Sequence, residues 1–176
     1  RFVVTLPWLP EAQDDLDDGV EPAYPINKGL LLPQSASTMK HTNQSSVLAH
    51  STILLVEDNE STALAIHDYL ASRGCTVLKA RSGIDALQIA LAVRPDIILM
   101  DIQMPDMDGI ETTRRLRSYP HMQSVVIIAL TALAMREDRE RCLSAGMNDY
   151  MAKPVEFRKL AQLLEQHLAA GRSQSS

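Results

Sequence analysis

The chain has 176 residues, 45% of them hydrophobic and only 4% aromatic, so it can bury one domain-sized core filled by aliphatic side chains. Its formal net charge is −5, and residues 51–170 carry 16 acidic against 13 basic side chains. That balance excludes the basic stripe needed for direct nucleic-acid binding, and no apolar run approaches the ~20 residues needed to cross a bilayer.

Residues 11–50 have the composition of a flexible linker. Pro10, Pro22, Pro25 and Pro33 interrupt any helix, and Glu11, Asp14, Asp15, Asp17, Asp18 and Glu21 repel one another. Residues 34–46 are rich in Ser, Thr, Asn and Gln, and Val47–His50 lead into the folded part. From Thr52 the pattern changes to alternating strands and helices. Ile53-Leu54-Leu55-Val56 is a continuous apolar run that stops at Glu57-Asp58, as in a strand buried on both faces. Asn59 offers an N-cap, Ala63, Leu64, Ile66 and Leu70 follow at helical spacing, and Gly74 ends the helix.

Residues 75–80 form a short second strand, and residues 83–93 a helix with Ala86, Leu87, Ala90 and Leu91 on one side, closed by Pro95. The third strand, residues 97–100, ends at Asp101. Asp108 caps a helix over residues 109–117, on which Arg114, Arg115 and Arg117 are expected to form a solvated face. The fourth strand is residues 125–130, ending at Thr131-Ala132, and a helix over residues 134–145 stops at Gly146. The fifth strand, residues 149–152, ends at Lys153-Pro154, and Phe157, Leu160, Leu164 and Leu168 line a last helix before a polar tail, residues 171–176, expected to be disordered.

Five strand–helix pairs imply an α/β fold: a three-layer α/β/α sandwich around a doubly wound five-stranded parallel sheet, order 2-1-3-4-5. Cys75 and Cys142 lack metal-ligand spacing and are expected to be reduced core thiols of a cytosolic protein.

Glu57 and Asp58, Asp101, Thr131 and Lys153 all fall at the carboxyl ends of apolar strands, where the ligand crevice of an open α/β sheet lies. Carboxylates gathered there repel by about 4 kcal/mol per pair at ~4 Å and an effective dielectric near 20. A divalent cation relieves that repulsion, and an all-oxygen site favours Mg²⁺ or Mn²⁺. Lys153 adds positive charge, Thr131 adds a hydroxyl donor, and an Asp carboxylate is a competent nucleophile toward phosphorus. Asp106-Met107-Asp108-Gly109 has a faint likeness to a calcium loop. Aligning its glycine places Met104 and Arg115 at ligand positions, which rules calcium out.

Four segments together resemble the response-regulator receivers of two-component systems (CheY-like domains). They are Ile53-Leu54-Leu55-Val56-Glu57-Asp58-Asn59, Met100-Asp101-Ile102-Gln103-Met104-Pro105-Asp106-Met107-Asp108-Gly109, Ala129-Leu130-Thr131-Ala132 and Tyr150-Met151-Ala152-Lys153-Pro154. The resemblance covers residues 51–170. It implies that Asp101 accepts the phosphoryl group and that Asp58, Asp101 and the Gln103 carbonyl ligate Mg²⁺, with Glu57 acting directly or through water. It further implies that Lys153 pairs with the phosphoryl group, that Thr131 moves to hydrogen-bond it, that Tyr150 swings inward as Thr131 moves, and that the Lys153–Pro154 bond is cis. Gln103 and Leu133 would flank attacking water, and an apolar Leu133 implies slow self-dephosphorylation. The expected donor is a histidine kinase or histidine phosphotransfer domain. A downstream signalling protein would be met through residues 134–170, near Arg139, Arg158 and Gln162.

Arg1-Phe2-Val3-Val4-Thr5-Leu6-Pro7-Trp8 resembles the terminal strand of the ATP-binding domain of sensor histidine kinases. Residues 1–10 would then be a remnant of that domain. The parent would be a hybrid histidine kinase, cytoplasmic here and anchored, if at all, through upstream segments. The chain starts at Arg1 and carries no ATP-binding glycine motif, so a fragment without a kinase core is expected. Two alternatives come from other classes. A Mg²⁺-dependent phosphatase with an aspartyl nucleophile would place a second acid where Gln103 stands, and a flavodoxin-like cofactor binder would need a Gly/Ser/Thr-rich loop after Val56.

Overall fold

The computed structural model describes residues 47–132 and 136–173. Expectations for residues 1–46, for Leu133 and for residues 174–176 lie outside that range. The elements run β1 (Thr52–Val56), α1 (Glu60–Ser72), β2 (Thr76–Ala80), α2 (Gly83–Val93), β3 (Ile97–Asp101), α3 (Gly109–Arg117), a 3₁₀ turn (Pro120–Met122), β4 (Val126–Thr131), α4 (Arg136–Ser144), β5 (Asp149–Ala152) and α5 (Phe157–Ser173). All strand pairs are parallel, in the order β2-β1-β3-β4-β5, as the alternation of elements predicts.

The continuous apolar runs of the inner strands are explained by two cores, one on each side of the sheet. Leu54, Val56, Ile98, Met100, Ile127 and Ala129 point toward α2, α3 and α4. Ile53, Leu55, Ile97, Leu99, Ile128 and Leu130 point toward α1 and α5. Successive residues alternate faces, so a strand covered on both sides is apolar throughout. The edge strands β2 and β5 are only partly buried and correspondingly mixed in composition. Cys75 and Cys142 are free, buried and in opposite cores, and burial pushes the Cys75 thiol up from its ordinary value.

Local signals hold at the helix starts. Asn59 Oδ1 accepts from the Thr62 N–H at 2.9 Å and Asp108 Oδ1 from the Glu111 N–H at 2.7 Å. Gly74, at φ 85°, ends α1 in the left-handed region, where the Cys75 N–H returns to Leu70 O at 3.2 Å. Four expectations are corrected. Leu64 is 52% exposed: Ala63, Ile66 and Leu70 form the inward stripe of α1, and Leu64 is a third of a turn off it. Arg117 is not solvated. Its guanidinium donates to Gly146 O at 2.8 Å, to Met122 O at 2.5 Å and to Asn148 Oδ1 at 2.9 Å, and burial pulls its pKa down. Residues 47–50 belong to the folded part, because Leu48 is fully buried with α1 and α5, and its carbonyl accepts from Ser51 Oγ at 2.7 Å. Finally, α5 continues through Gly171 to Ser173 on its own backbone ladder, since nothing packs where a Gly171 side chain would be.

Candidate functional site at the carboxyl ends of the strands

Parallel strands all point the same way, so their carboxyl ends share one rim. Glu57 follows β1, Asp101 ends β3, Thr131 ends β4 and Lys153 follows β5. Glu57, Asp101 and Thr131 are buried at 2, 3 and 3% exposure, whereas Asp58 is exposed and Lys153 half-buried. The buried members sit there because β1, β3 and β4 lie inside the sheet. Lys153 sits on the edge and reaches inward.

Lys153 ties the rim together. Its Nζ donates to Asp101 Oδ2 at 2.7 Å and lies 2.7 Å from Glu57 Oε2. The second approach is an ion-pair contact outside hydrogen-bond geometry, so Glu57 Oε2 is buried without a directed donor. The other Asp101 oxygen, Oδ1, accepts from the Gln103 N–H at 3.0 Å. The Lys153 N–H donates to Thr131 O at 2.7 Å, which fixes the lysine beside the end of β4, and the Lys153–Pro154 bond is cis.

The charges are unbalanced. Burial raises the Glu57 carboxyl above its ordinary value and the nearby Asp101 adds to the rise, against the pull of Lys153. For Lys153 burial works downward, but the hydrogen bond to Asp101 and the negative charges of Asp101 and Glu57 outweigh it, and the net direction is up. Glu57, Asp58 and Asp101 can each place one oxygen within 4.8 Å of the others. Three carboxylates against one ammonium leave excess negative charge in hard oxygen donors. Together with the undirected Glu57 Oε2, that donor set fits a divalent cation of the Mg²⁺ type.

The site residues named from sequence are thus gathered at one rim, except Tyr150. Ala129 pairs with Tyr150 and Thr131 with Ala152, so Tyr150 and Thr131 share a sheet face. Tyr150 is 37% exposed, with the Arg139 guanidinium carbon 5.5 Å from its ring centroid. Arg158 and Gln162 are exposed, as is Arg139.

One positioning residue was not singled out by sequence reasoning. A Cβ on Gly109 would collide with the Asp101 carbonyl oxygen, so only glycine lets α3 start this close to the end of β3. A glycine at the first position of a helix, directly after its Asp cap, was the available signal. Two open grooves of about 300 and 330 Å³ flank α1 beside the rim. The first is lined by Glu57, Glu60, Leu64 and Arg81, the second by Thr62, Lys153, Pro154 and Phe157. Among the described residues, no helix is long and apolar enough to cross a membrane.

Comparison with known proteins agrees with this geometry. The response regulator receiver domain model matches residues 53–165. The polar-differentiation response regulator DivK of Brucella anthropi is 34% identical over 116 residues, which are 66% of this chain and 94% of that protein. The receiver domain of sensor histidine kinase PA1611 from Pseudomonas aeruginosa PAO1, solved with a magnesium ion coordinated in its active site cleft, is 44% identical. It superposes with a TM-score of 0.65 over 69% of this chain and 99% of that one. The signal receiver domain of a signal transduction histidine kinase from Syntrophus aciditrophicus is 32% identical, with a TM-score of 0.64 over 68% of this chain and 91% of that one. With four strand ends converging on an acidic rim bridged by one lysine, and with these relatives, the chain belongs to the response regulator receiver family of two-component signalling.

Proposed function

We propose that residues 51–170 accept a phosphoryl group on Asp101 from a phosphohistidine, and that the resulting acyl phosphate switches a protein-binding surface. The observation that carries this reading is the 2.7 Å contact of Lys153 Nζ with both Asp101 Oδ2 and Glu57 Oε2 at the common strand-end rim. A lysine held there places one positive charge against the nucleophile and leaves the acids around it uncompensated.

The transfer forms an O–P bond from the Asp101 carboxylate as the P–N bond to imidazole breaks. The imidazole leaves with the electron pair and takes up a proton. Glu57, Asp58 and Asp101, with the Gln103 carbonyl, would hold Mg²⁺ or Mn²⁺. When bound, that ion supplies positive charge against the phosphoryl oxygens and the clustered carboxylates. Asp101 is oriented by the Gln103 N–H and Lys153, which limits its rotation before reaction. Lys153 exchanges part of its contact with Asp101 for a phosphoryl oxygen. Thr131 donates its hydroxyl to another, and Tyr150 moves inward on the same sheet face.

The donor is a histidine kinase or phosphotransfer domain, and the grooves beside α1 give it a route to the rim. The exposed residues Arg139, Arg158 and Gln162 lie on the surface offered to a downstream protein. Two of the similar solved domains are receivers of histidine kinases. That supports a parent of the hybrid kinase type and a cytoplasmic site, with residues 1–10 as the end of an ATP-binding domain and residues 11–46 as a linker.

The test is incubation with Mg²⁺ and acetyl phosphate, read by intact mass. One phosphoryl group is expected on the wild type and none on Asp101→Asn. Phosphorylation that persists in the variant would remove Asp101 from its role. Catalytic release of phosphate from small phosphoesters would favour an aspartyl phosphatase instead.

A further inference from the structure

Tyr150 stands on an edge strand with its ring at the surface, although turning inward would bury a large apolar area. Its neighbour in register is Ala129, a small side chain on the same face of the sheet. The contact that favours the outward position is with Arg139 of α4, whose guanidinium carbon lies 5.5 Å from the ring centroid, inside cation–π range. Arg139 is exposed and belongs to neither the acidic cluster nor the Lys153 ion pairs.

We propose that Arg139 is a latch: it holds Tyr150 on the surface and thereby biases the receiver toward its unphosphorylated state. This deepens the acceptor reading and rests on it. Thr131 and Tyr150 share a sheet face two residues apart in register, and on the acceptor reading the tyrosine moves in as the threonine is drawn toward a group on Asp101. Breaking the Arg139 contact is part of the cost of that movement. The apparent affinity for a phosphoryl group falls with the fraction of molecules latched outward, and Arg139 acts on the site only through Tyr150. An exposed cation–π contact corresponds to about a two- to fivefold bias.

The experiment titrates beryllofluoride with Mg²⁺ into the full chain by calorimetry. The proteins are wild type, Asp101→Asn, Arg139→Ala, Arg139→Lys, Tyr150→Leu and the Arg139→Ala/Tyr150→Leu double variant. Arg139→Ala is expected to bind about two- to fivefold tighter than wild type. Arg139→Lys, which keeps the cation, falls between them. In the Tyr150→Leu background the gain disappears. The Tyr150 ring resonances of free Arg139→Ala shift toward those of the beryllofluoride complex, a signature that a merely structural role would not produce. Wild-type affinity in Arg139→Ala, or an equal gain without Tyr150, overturns the latch while leaving the acceptor reading intact. Binding that survives Asp101→Asn, or a wild type that binds no beryllofluoride, overturns the acceptor reading and the latch together.

Discussion

Two half-buried cations sit at opposite rims of the same sheet. Lys153, at the carboxyl ends of the strands, faces Asp101 and Glu57, and its pKa is pushed up. Arg117, at the other rim, donates among the described residues to the neutral oxygens of Gly146, Met122 and Asn148, and burial pulls its pKa down. The Arg117 oxygens include the carbonyl of Gly146, just past the end of α4, and an Asn148 side chain that also accepts from the Ile127 N–H at 2.8 Å. That guanidinium closes a turn through three hydrogen bonds to neutral oxygens. The lysine instead sits among an excess of carboxylates, whose negative charge the proposed divalent ion would offset. A buried cation therefore marks chemistry when its partners are charged and too numerous, and architecture when they are neutral and complete.

This contrast can be broken from either rim. Lys153→Ala should slow phosphorylation by acetyl phosphate by about 10²–10³-fold, the usual cost of removing a preorganised charge-stabilising donor, with the fold retained by circular dichroism. A rate within tenfold of wild type would make Lys153 a structural ion pair. Leu48→Ala at the opposite rim should cost about 2–5 kcal/mol in urea denaturation, because the side chain is fully buried between α1 and α5. An unchanged midpoint would return residues 47–50 to the linker.

Arg117→Ala should cost about 2–3 kcal/mol, since hydrogen bonds from a charged donor are worth about 1.5–3 kcal/mol each and do not add fully. Its phosphorylation rate below the unfolding transition should stay within about threefold of wild type, on the same logic that it does not touch the reacting groups. A large loss of rate without a loss of stability would place Arg117 in the signalling path. The smallest effect is a pH dependence. The Glu57 carboxyl is raised, so it keeps its proton above its ordinary value of 4.5. A cation needs the carboxylate, so Mg²⁺ affinity should rise as pH rises through that window. Glu57→Gln should remove this slope, and a titration that shows it unchanged would exclude Glu57 as a ligand or as the group controlling one. The stability sign is the reverse. A raised carboxyl contributes stability at low pH that is lost as pH rises through its folded pKa.

Much of this protein was legible from local chemistry alone. The runs Ile53–Val56 and 97–100 had to be strands covered on both faces, and with the intervening helices they narrowed the sheet to a few parallel topologies, of which 2-1-3-4-5 was expected and is found. Asn59, Asp108 and Gly74 marked helix ends through their own side chains or their own backbone freedom, which needs no knowledge of the rest of the chain. The strand-end placement of Glu57, Asp58, Asp101, Thr131 and Lys153 followed from the same periodicity, and it carried the family resemblance. What only the tertiary structure decided depends on which surface packs against which. Leu64 and Arg117 look like an apolar and a solvated helix position, yet the first is exposed and the second inserted beneath a distant turn. The burial of Leu48, the undirected oxygen of Glu57 and the stacking of Arg139 on Tyr150 each involve side chains brought together by folding. Residue spacing reports the face of an element, but the partner on that face is chosen by the whole fold, and it is the partner that sets burial, charge and strength of contact.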